Sequence, residues 1–181
     1  VKTVFDQKFT PQARDIRRAL NQKSKAILLN SPNNPSGAVY SRSLLEEIAL
    51  IAKDAGVYII SDEVYEKLIY GAARHCSVGS LKGVRDQVIT VNGMSMAFSM
   101  TGWRIGYMGG PPPVIEAASS LQSQMTFSGN SIAQRASLAA FSGSTNAIDA
   151  MLEEFKRRRE FVVEYLSGIR DVRVNLPDGT F

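Results

Sequence analysis

Three short runs of apolar residues limit the folds open to this chain more than any other feature of its sequence. They are Ala26–Leu29, Val57–Ile60 and Val88–Val91, and each is soon followed by polar or turn-forming residues. Continuous apolar runs of this length are typical of strands buried on both faces of a parallel sheet. Between the first two runs, the capping-box sequence Ser43–Glu46 predicts a helix that stops at Gly56. Strand, helix and strand with short connections indicate a parallel βαβ unit, so we predict an α/β fold.

The rest of the chain extends this pattern on both sides. Thr10-Pro11 predicts a helix to about Asn21, because a hydroxyl suits the N-cap and proline suits the first helical position. The further predicted elements are a strand at Ile105–Met108, helices at Val114–Met125, Ile132–Phe141 and Ala147–Leu166, and a last short strand at Val172–Val174. The predicted architecture has three layers, α/β/α, around a mostly parallel sheet, with a domain joint near Ser167–Asp171.

Composition and charge exclude several classes of function. The net charge is +4, but the basic residues do not interleave with aromatic residues as they do on nucleic-acid-binding surfaces. The densest basic run, Lys156–Arg159, is flanked by glutamates and is typical of a solvated helix face. Cys76 and His75 are the only residues of their types, which argues against an intramolecular disulfide and a cysteine- or histidine-rich metal site. We expect His75 to be exposed in a loop.

Targeting signals are also missing from this sequence. It shows no signal peptide and no apolar run of membrane-spanning length. We therefore expect a cytoplasmic protein that binds neither nucleic acid nor membranes.

Polar side chains follow each predicted strand. Asn33-Asn34 lie just beyond the first strand, Asp62 ends the second, and Asn92–Met96 follow the third. Ligands of open parallel sheets bind beyond the carboxyl ends of the strands, so these residues are expected around one crevice. Each also has an ordinary alternative: a plain turn at Asn34, a cap of the following segment at Asp62, a tight hairpin at Asn92-Gly93, a surface ion pair for Arg104 and a core position for Trp103.

Three segments of the chain resemble a known family. They are "NSPNNPSG" (residues 30–37), "SDEVYEKLIY" (61–70) and "MTGWRIGYMGGP" (100–111). In content and spacing they are similar to the signature segments of class I pyridoxal-phosphate aminotransferases, in the aspartate and aromatic amino-acid branch. The resemblance covers nearly the whole chain, including the terminal "PDGTF".

The resemblance implies a fold and an activity. Residues 1–168 would form part of the cofactor-binding large domain, with an incomplete sheet and the long connecting helix. Residues 169–181 would begin a small α+β domain. The implied reaction transfers an amino group between an aspartate-like or aromatic amino acid and a 2-oxo acid, in a homodimer. A carbon–sulfur lyase or a cyclopropane-forming synthase on the same fold is an alternative.

The resemblance also implies roles for single residues toward pyridoxal 5'-phosphate. Asp62 would face the pyridine nitrogen and keep it protonated, so that the ring withdraws electrons. Asn34 and Tyr65 would hydrogen-bond the phenolic oxygen of the ring. Arg104 would bind the phosphate, since a guanidinium makes paired, charge-assisted hydrogen bonds. No metal is implied.

Met96 departs from the family pattern. It lies eight residues before Arg104, where the family has the Schiff-base lysine. A thioether cannot form that bond or move a proton, so we expect this chain to be inactive in transamination. A lysine codon becomes a methionine codon by one base change, which allows an engineered replacement or a sequence error. The remaining alternative is a natural, non-catalytic homologue that binds the cofactor or another ligand.

Overall fold

In the computed structural model, which describes residues 1–181, a four-stranded sheet organises the chain. Its strands are β1 (Ala26–Asn30), β2 (Tyr58–Asp62), β3 (Val88–Gly93) and β4 (Gly106–Gly109), in that spatial order. β1 and β3 both pair with β2 in parallel, and β4 pairs with β3 in the antiparallel direction. Four of the five predicted strands and the mostly parallel sheet are therefore confirmed.

Five α-helices accompany the sheet, close to the predicted positions. They are α1 (Ala13–Ala19), α2 (Arg42–Ala55), α3 (Pro112–Met125), α4 (Ser131–Ser142) and α5 (Asn146–Ser167). None of them is long and apolar enough to cross a membrane.

Two predicted helix starts are wrong. Ser41, and not Ser43, caps α2, because its Oγ accepts a hydrogen bond from the Leu44 N–H at 3.2 Å. Helix α1 begins after Gln12 rather than at Thr10. The Thr10 N–H is bound by the Gln7 carbonyl at 2.9 Å, so Thr10 belongs to the preceding turn.

The core lies between one face of the sheet and the helices α1 and α2. Leu45 and Ile48 of α2 pack there with the inward residues of β1 and β2, which include Ile59. On the opposite face Leu28 is 72% exposed, so β1 is not buried on both faces as expected. The alternating burial along β1 follows from the strand period of two residues, with helices covering one side only.

The last residues of the chain dock onto the loops beyond β1 and β2. The N–H groups of Asp178 and Gly179 both donate to the Gly37 carbonyl, at 2.8 and 2.9 Å, and the Thr180 N–H donates to the Leu68 carbonyl at 2.9 Å. Gly37 has a φ of +70°, and a Cβ there would lie 2.2 Å from Pro177 Cβ. Only glycine allows this close approach of the two segments.

The predicted strand at Val172–Val174 is wrong. The segment pairs with no strand, and the Val172 N–H instead closes a turn onto the Ile169 carbonyl at 3.3 Å. The one β-bridge near the terminus joins Ile69 to Gly179. A run of residues with high β-propensity becomes a strand only where it can hydrogen-bond to the edge of a sheet. No sheet edge lies beside Val172–Val174.

Candidate cofactor site

The carboxyl ends of β1 and β2 are joined through Asn30. It is the register partner of Asp62, and its Nδ2 donates to the Asp62 carbonyl at 3.3 Å. Its Oδ1 accepts from the Asn34 N–H at 2.9 Å and from Asn33 Nδ2 at 3.2 Å. Asn30 therefore shapes the loop beyond β1 and ties it to β2. Sequence reasoning did not assign it a role.

Asn34 and Tyr65, predicted to serve the same ring oxygen, are in direct contact. Asn34 Nδ2 donates to the Tyr65 hydroxyl at 2.8 Å. Tyr65 is only 6% exposed, whereas Asn34 is exposed on the loop. The buried phenol therefore fixes the exposed Asn34 amide in place, so the turn at Asn34 is more than a plain connection.

Asp62 ends β2, three residues before Tyr65. Its Oδ1 accepts a hydrogen bond from the Val64 N–H at 3.2 Å, and no hydrogen bond within the chain engages Oδ2. The side chain is half-buried. One carboxylate oxygen thus fixes the local turn, and the other is free to meet a ligand.

The end of β3 leads into the segment that carries Met96. Asn92 is buried, and its Oδ1 accepts from the Gly93 N–H at 2.7 Å. β3 and β4 are antiparallel neighbours, but residues 94–105 separate them, so Asn92-Gly93 is not a tight hairpin. Met96 is half-buried, and its carbonyl accepts from the Ser99 N–H at 3.4 Å.

Arg104 is exposed on the same segment, with a φ of +51°. Its one side-chain hydrogen bond runs from Nη1 to the Thr101 carbonyl at 2.9 Å, and no carboxylate pairs with it. The surface ion pair weighed for Arg104 is therefore not formed. Its neighbour Trp103 is 46% exposed and does not belong to the core.

A buried carboxylate stands next to Asp62 in the sequence. The Glu63 side chain is 2% exposed, and its Oε1 accepts from Ser61 Oγ at 2.8 Å, Ser77 Oγ at 3.1 Å and the Val78 N–H at 3.1 Å. Its Oε2 lies 3.0 Å from His75 Nε2. Burial pushes the pKa of Glu63 upward, but the hydrogen bonds from His75, Ser61 and Ser77 outweigh it and hold the pKa below its usual range.

This network corrects the expectation that His75 is exposed. Its side chain is largely covered, and Nδ1 is buried without a hydrogen-bond partner. Nothing local in the sequence distinguishes Glu63 from its neighbour Asp62. The only sequence signal for a buried Glu63 was the presence of hydrogen-bonding residues at 75–77, after the loop that follows β2.

Glu63, Glu66 and His75 also have the ligand types of a metal site, with ligand atoms within 4.8 Å of one another. Both oxygens of Glu63, however, already have partners in the chain. A metal on His75 Nε2 would require a proton on Nδ1, which has no acceptor, whereas metal-bound histidines usually donate that proton to one. We therefore assign the group as a hydrogen-bonded cluster.

Comparisons with known proteins agree with the arrangement of these segments. Residues 2–181 match the sequence profile of the family described as aminotransferase class I and II. The chain is 39% identical to an aspartate aminotransferase of Pinus pinaster, over 100% of the chain and 38% of that protein. It is 41% identical to an aspartate/prephenate aminotransferase of Thermus thermophilus, over 100% of the chain and 47% of that protein.

The fold of the chain also matches a solved structure of an aminotransferase. The aspartate aminotransferase of Rhizobium meliloti superposes on 100% of the chain with a TM-score of 0.96 and 35% identity, and the match covers 46% of that structure. The chain thus spans less than half the length of the relatives that it matches. Because both the family profile and the superposition extend over essentially all of its residues, the chain belongs to the aminotransferase class I and II family.

Proposed function

We propose that this chain supplies part of a pyridoxal 5'-phosphate site in an aminotransferase. The proposed substrates are an amino acid, aspartate-like or aromatic, and a 2-oxo acid. One observation carries the proposal: Asn34 and Tyr65 meet at 2.8 Å, in the loops that follow β1 and β2, whose carboxyl ends are joined by Asn30 and Asp62. The names of the relatives support the class of reaction.

The donor set suits the cofactor. A carboxylate with one free oxygen at Asp62 suits a protonated ring nitrogen. Because Asn34 Nδ2 donates to the Tyr65 oxygen, the Tyr65 proton is free to be donated to the phenolic oxygen of the ring. Arg104 uses one N–H within the chain, which leaves the rest of its guanidinium for a phosphate.

Each side chain then has a limited task. Bound pyridoxal phosphate acts as an electron sink for the α-carbon of an amino acid. Asp62 holds a proton at the ring nitrogen by its negative charge, and Asn34 and Tyr65 orient the ring through its phenolic oxygen. Arg104 fixes the phosphate end. These side chains bind and orient the cofactor. None of them can take the place of a lysine that moves a proton at the α-carbon of the substrate.

Met96 is the one position that does not suit the reaction. A thioether offers neither an amine for covalent attachment nor a proton to transfer. We therefore propose that the chain with Met96 binds the cofactor noncovalently and does not catalyse transamination. This same observation favours the second candidate, a non-catalytic homologue that binds pyridoxal phosphate or a related ligand.

The organisation of the whole protein belongs to the same proposal. We assign residues 1–168 to the large, cofactor-binding domain and residues 169–181 to the start of a small domain, in a homodimer. The change from the long helix α5 to an irregular segment after Ser167 supports this boundary.

The test is a titration of the purified chain with pyridoxal phosphate, followed by the fluorescence of Trp103, its only tryptophan. We expect saturable binding, weakened about tenfold or more by Asp62→Ala because the ring nitrogen loses its charged partner. Asp86→Ala removes an exposed carboxylate at the opposite end of β3 and should leave the affinity unchanged. Equal affinities of the original chain and Asp62→Ala would reject the proposal.

A further inference from the structure

We propose that Glu63 is a positioning residue for the candidate site: its buried carboxylate closes the loop Glu63–Val78 and thereby holds Tyr65 against Asn34. Only one part of the inference, the effect of Glu63 on cofactor binding, rests on the proposed function. The positioning of Tyr65 itself can be tested without any ligand.

The four partners of Glu63 come from both ends of that loop. Ser61 precedes it on β2, whereas His75, Ser77 and Val78 lie at its far end. The Glu63 carboxylate thus binds residues up to 15 positions further along the chain. Glu63 provides the hydrogen bonds that connect the strand end to residues 75–78, and Val78 is also part of the core that contains Ile59.

The backbone carries this constraint to Tyr65. The Glu63 N–H donates to the Val91 carbonyl at 2.9 Å, which keeps Glu63 fixed to β3. The Glu63 carbonyl accepts from the Glu66 N–H at 2.9 Å, and the Tyr65 carbonyl accepts from the Leu68 N–H at 2.8 Å. Tyr65 therefore lies inside a tight turn that begins at Glu63.

The charge of Glu63 makes the arrangement sensitive to substitution. A buried carboxylate with several donors is strongly held, whereas a glutamine of the same shape is uncharged and has one accepting oxygen where glutamate has two. Its N–H₂ group must then face either the Val78 N–H, which loses its acceptor, or His75 Nε2, which must become an acceptor, so that the contact with a charged carboxylate is lost. The loop end should shift, and the turn that holds Tyr65 should shift with it.

The first experiment uses the ligand-free chain labelled with 3-fluorotyrosine and observed by fluorine NMR. The chain has six tyrosines, and Tyr65→Phe identifies the resonance of Tyr65. Glu63→Gln should move or broaden that resonance. Glu47→Gln is the matched control, because it removes an exposed carboxylate of α2 that has no contact with the Glu63 network. An unchanged Tyr65 resonance in folded Glu63→Gln would overturn the inference.

Ser77→Ala provides a milder variant should Glu63→Gln fail to fold. It removes one of the donors to Glu63 and leaves the charge in place. The Tyr65 resonance should move in the same direction by a smaller amount. No movement in Ser77→Ala would then count against the inference.

The second experiment measures the affinity for pyridoxal phosphate in a double-mutant cycle. Glu63→Gln and Tyr65→Phe should each weaken binding by about fivefold, and the double variant by no more than the larger single effect. Additive effects would mean that Glu63 does not act through Tyr65 and would overturn the inference. If the original chain does not bind the cofactor, the proposed function fails, and the fluorine resonance still decides the role of Glu63.

Discussion

Asn30 and Asp62 are register partners at the ends of adjacent parallel strands, and the Asn30 amide donates to the Asp62 carbonyl at 3.3 Å. The Ser31 N–H donates to the same carbonyl at 3.2 Å. The oxygen of the Asn30 amide accepts a hydrogen bond from the Asn34 N–H. One side chain thus sets the distance between the two loops that carry the candidate cofactor contacts.

Asn30→Asp should weaken the binding of pyridoxal phosphate by about five- to tenfold and lower the free energy of unfolding by about 1–2 kcal/mol. Aspartate keeps the acceptor for Asn34 but places an oxygen against the Asp62 carbonyl. Asn21→Asp is the control, because Asn21 also accepts from a backbone N–H, at 2.9 Å, but lies in an exposed loop. Fluorescence titration and urea unfolding would measure both effects, and equal behaviour of the two variants would contradict the prediction.

Met96→Lys should restore covalent attachment of pyridoxal phosphate. The amine would stand on the segment between β3 and Arg104, at the position where the thioether offers no covalent partner. Borohydride reduction followed by peptide mass analysis should find the cofactor at residue 96. Met108→Lys, on the exposed strand β4, should show no such selective modification. Modification of both variants to the same extent would indicate nonspecific reaction.

Arg104→Ala should weaken the binding of pyridoxal phosphate about tenfold or more, because a charge-assisted contact with the phosphate is lost. Pyridoxal, which lacks the phosphate, should bind the variant and the original chain equally. Arg85→Ala removes another exposed arginine and should change neither affinity. A parallel loss for pyridoxal would mean that Arg104 does not contact the phosphate.

Gly37→Ala should destabilise the chain more than Gly71→Ala. Both glycines have a positive φ, +70° and +62°, so each substitution costs about 1 kcal/mol of backbone strain. At Gly71 the added Cβ meets nothing within 4 Å, whereas at Gly37 it overlaps Pro177. We expect about 2 kcal/mol of additional loss from that overlap. Urea unfolding of the two variants would measure the difference, and equal losses would show that the terminal segment is not docked on Gly37.

The stability contributed by Glu63 should disappear in acid. Its pKa is lowered in the folded chain, so the folded state binds a proton less readily than the unfolded state. The contribution is complete above the ordinary pKa of 4.5 and is lost as the pH falls through the lower folded-state pKa. The difference in free energy of unfolding between the original chain and Glu63→Gln should therefore narrow below about pH 4.5.

The measurement is urea unfolding at several pH values, from neutrality down to the lowest pH at which the chain still folds. Glu47→Gln, at an exposed position of α2, serves as the reference for a carboxylate without this network. A difference for Glu63→Gln that stays constant across the acid range would contradict the prediction.

The sequence alone determined the four strands of the sheet and the edge of the sheet at which the candidate residues lie. Apolar runs are a local signal, and parallel strands necessarily bring their carboxyl ends together, so Asn34 and Asp62 could be expected as neighbours. The sequence also showed the chemical group that each candidate residue carries, including the absence of an amine at Met96.

Only the tertiary structure decided which carboxylate is buried and which side chains touch. Asp62 and Glu63 are adjacent acids, and neighbouring residues of an extended chain point to opposite sides, so their roles depend on what each side meets. The donors of Glu63 arrive from residues 75–78, and the residues that pack against Gly37 arrive from the chain's last turn. The same reason explains Val172–Val174: local propensity cannot state whether a partner edge lies within hydrogen-bonding distance, because that edge is contributed by distant residues.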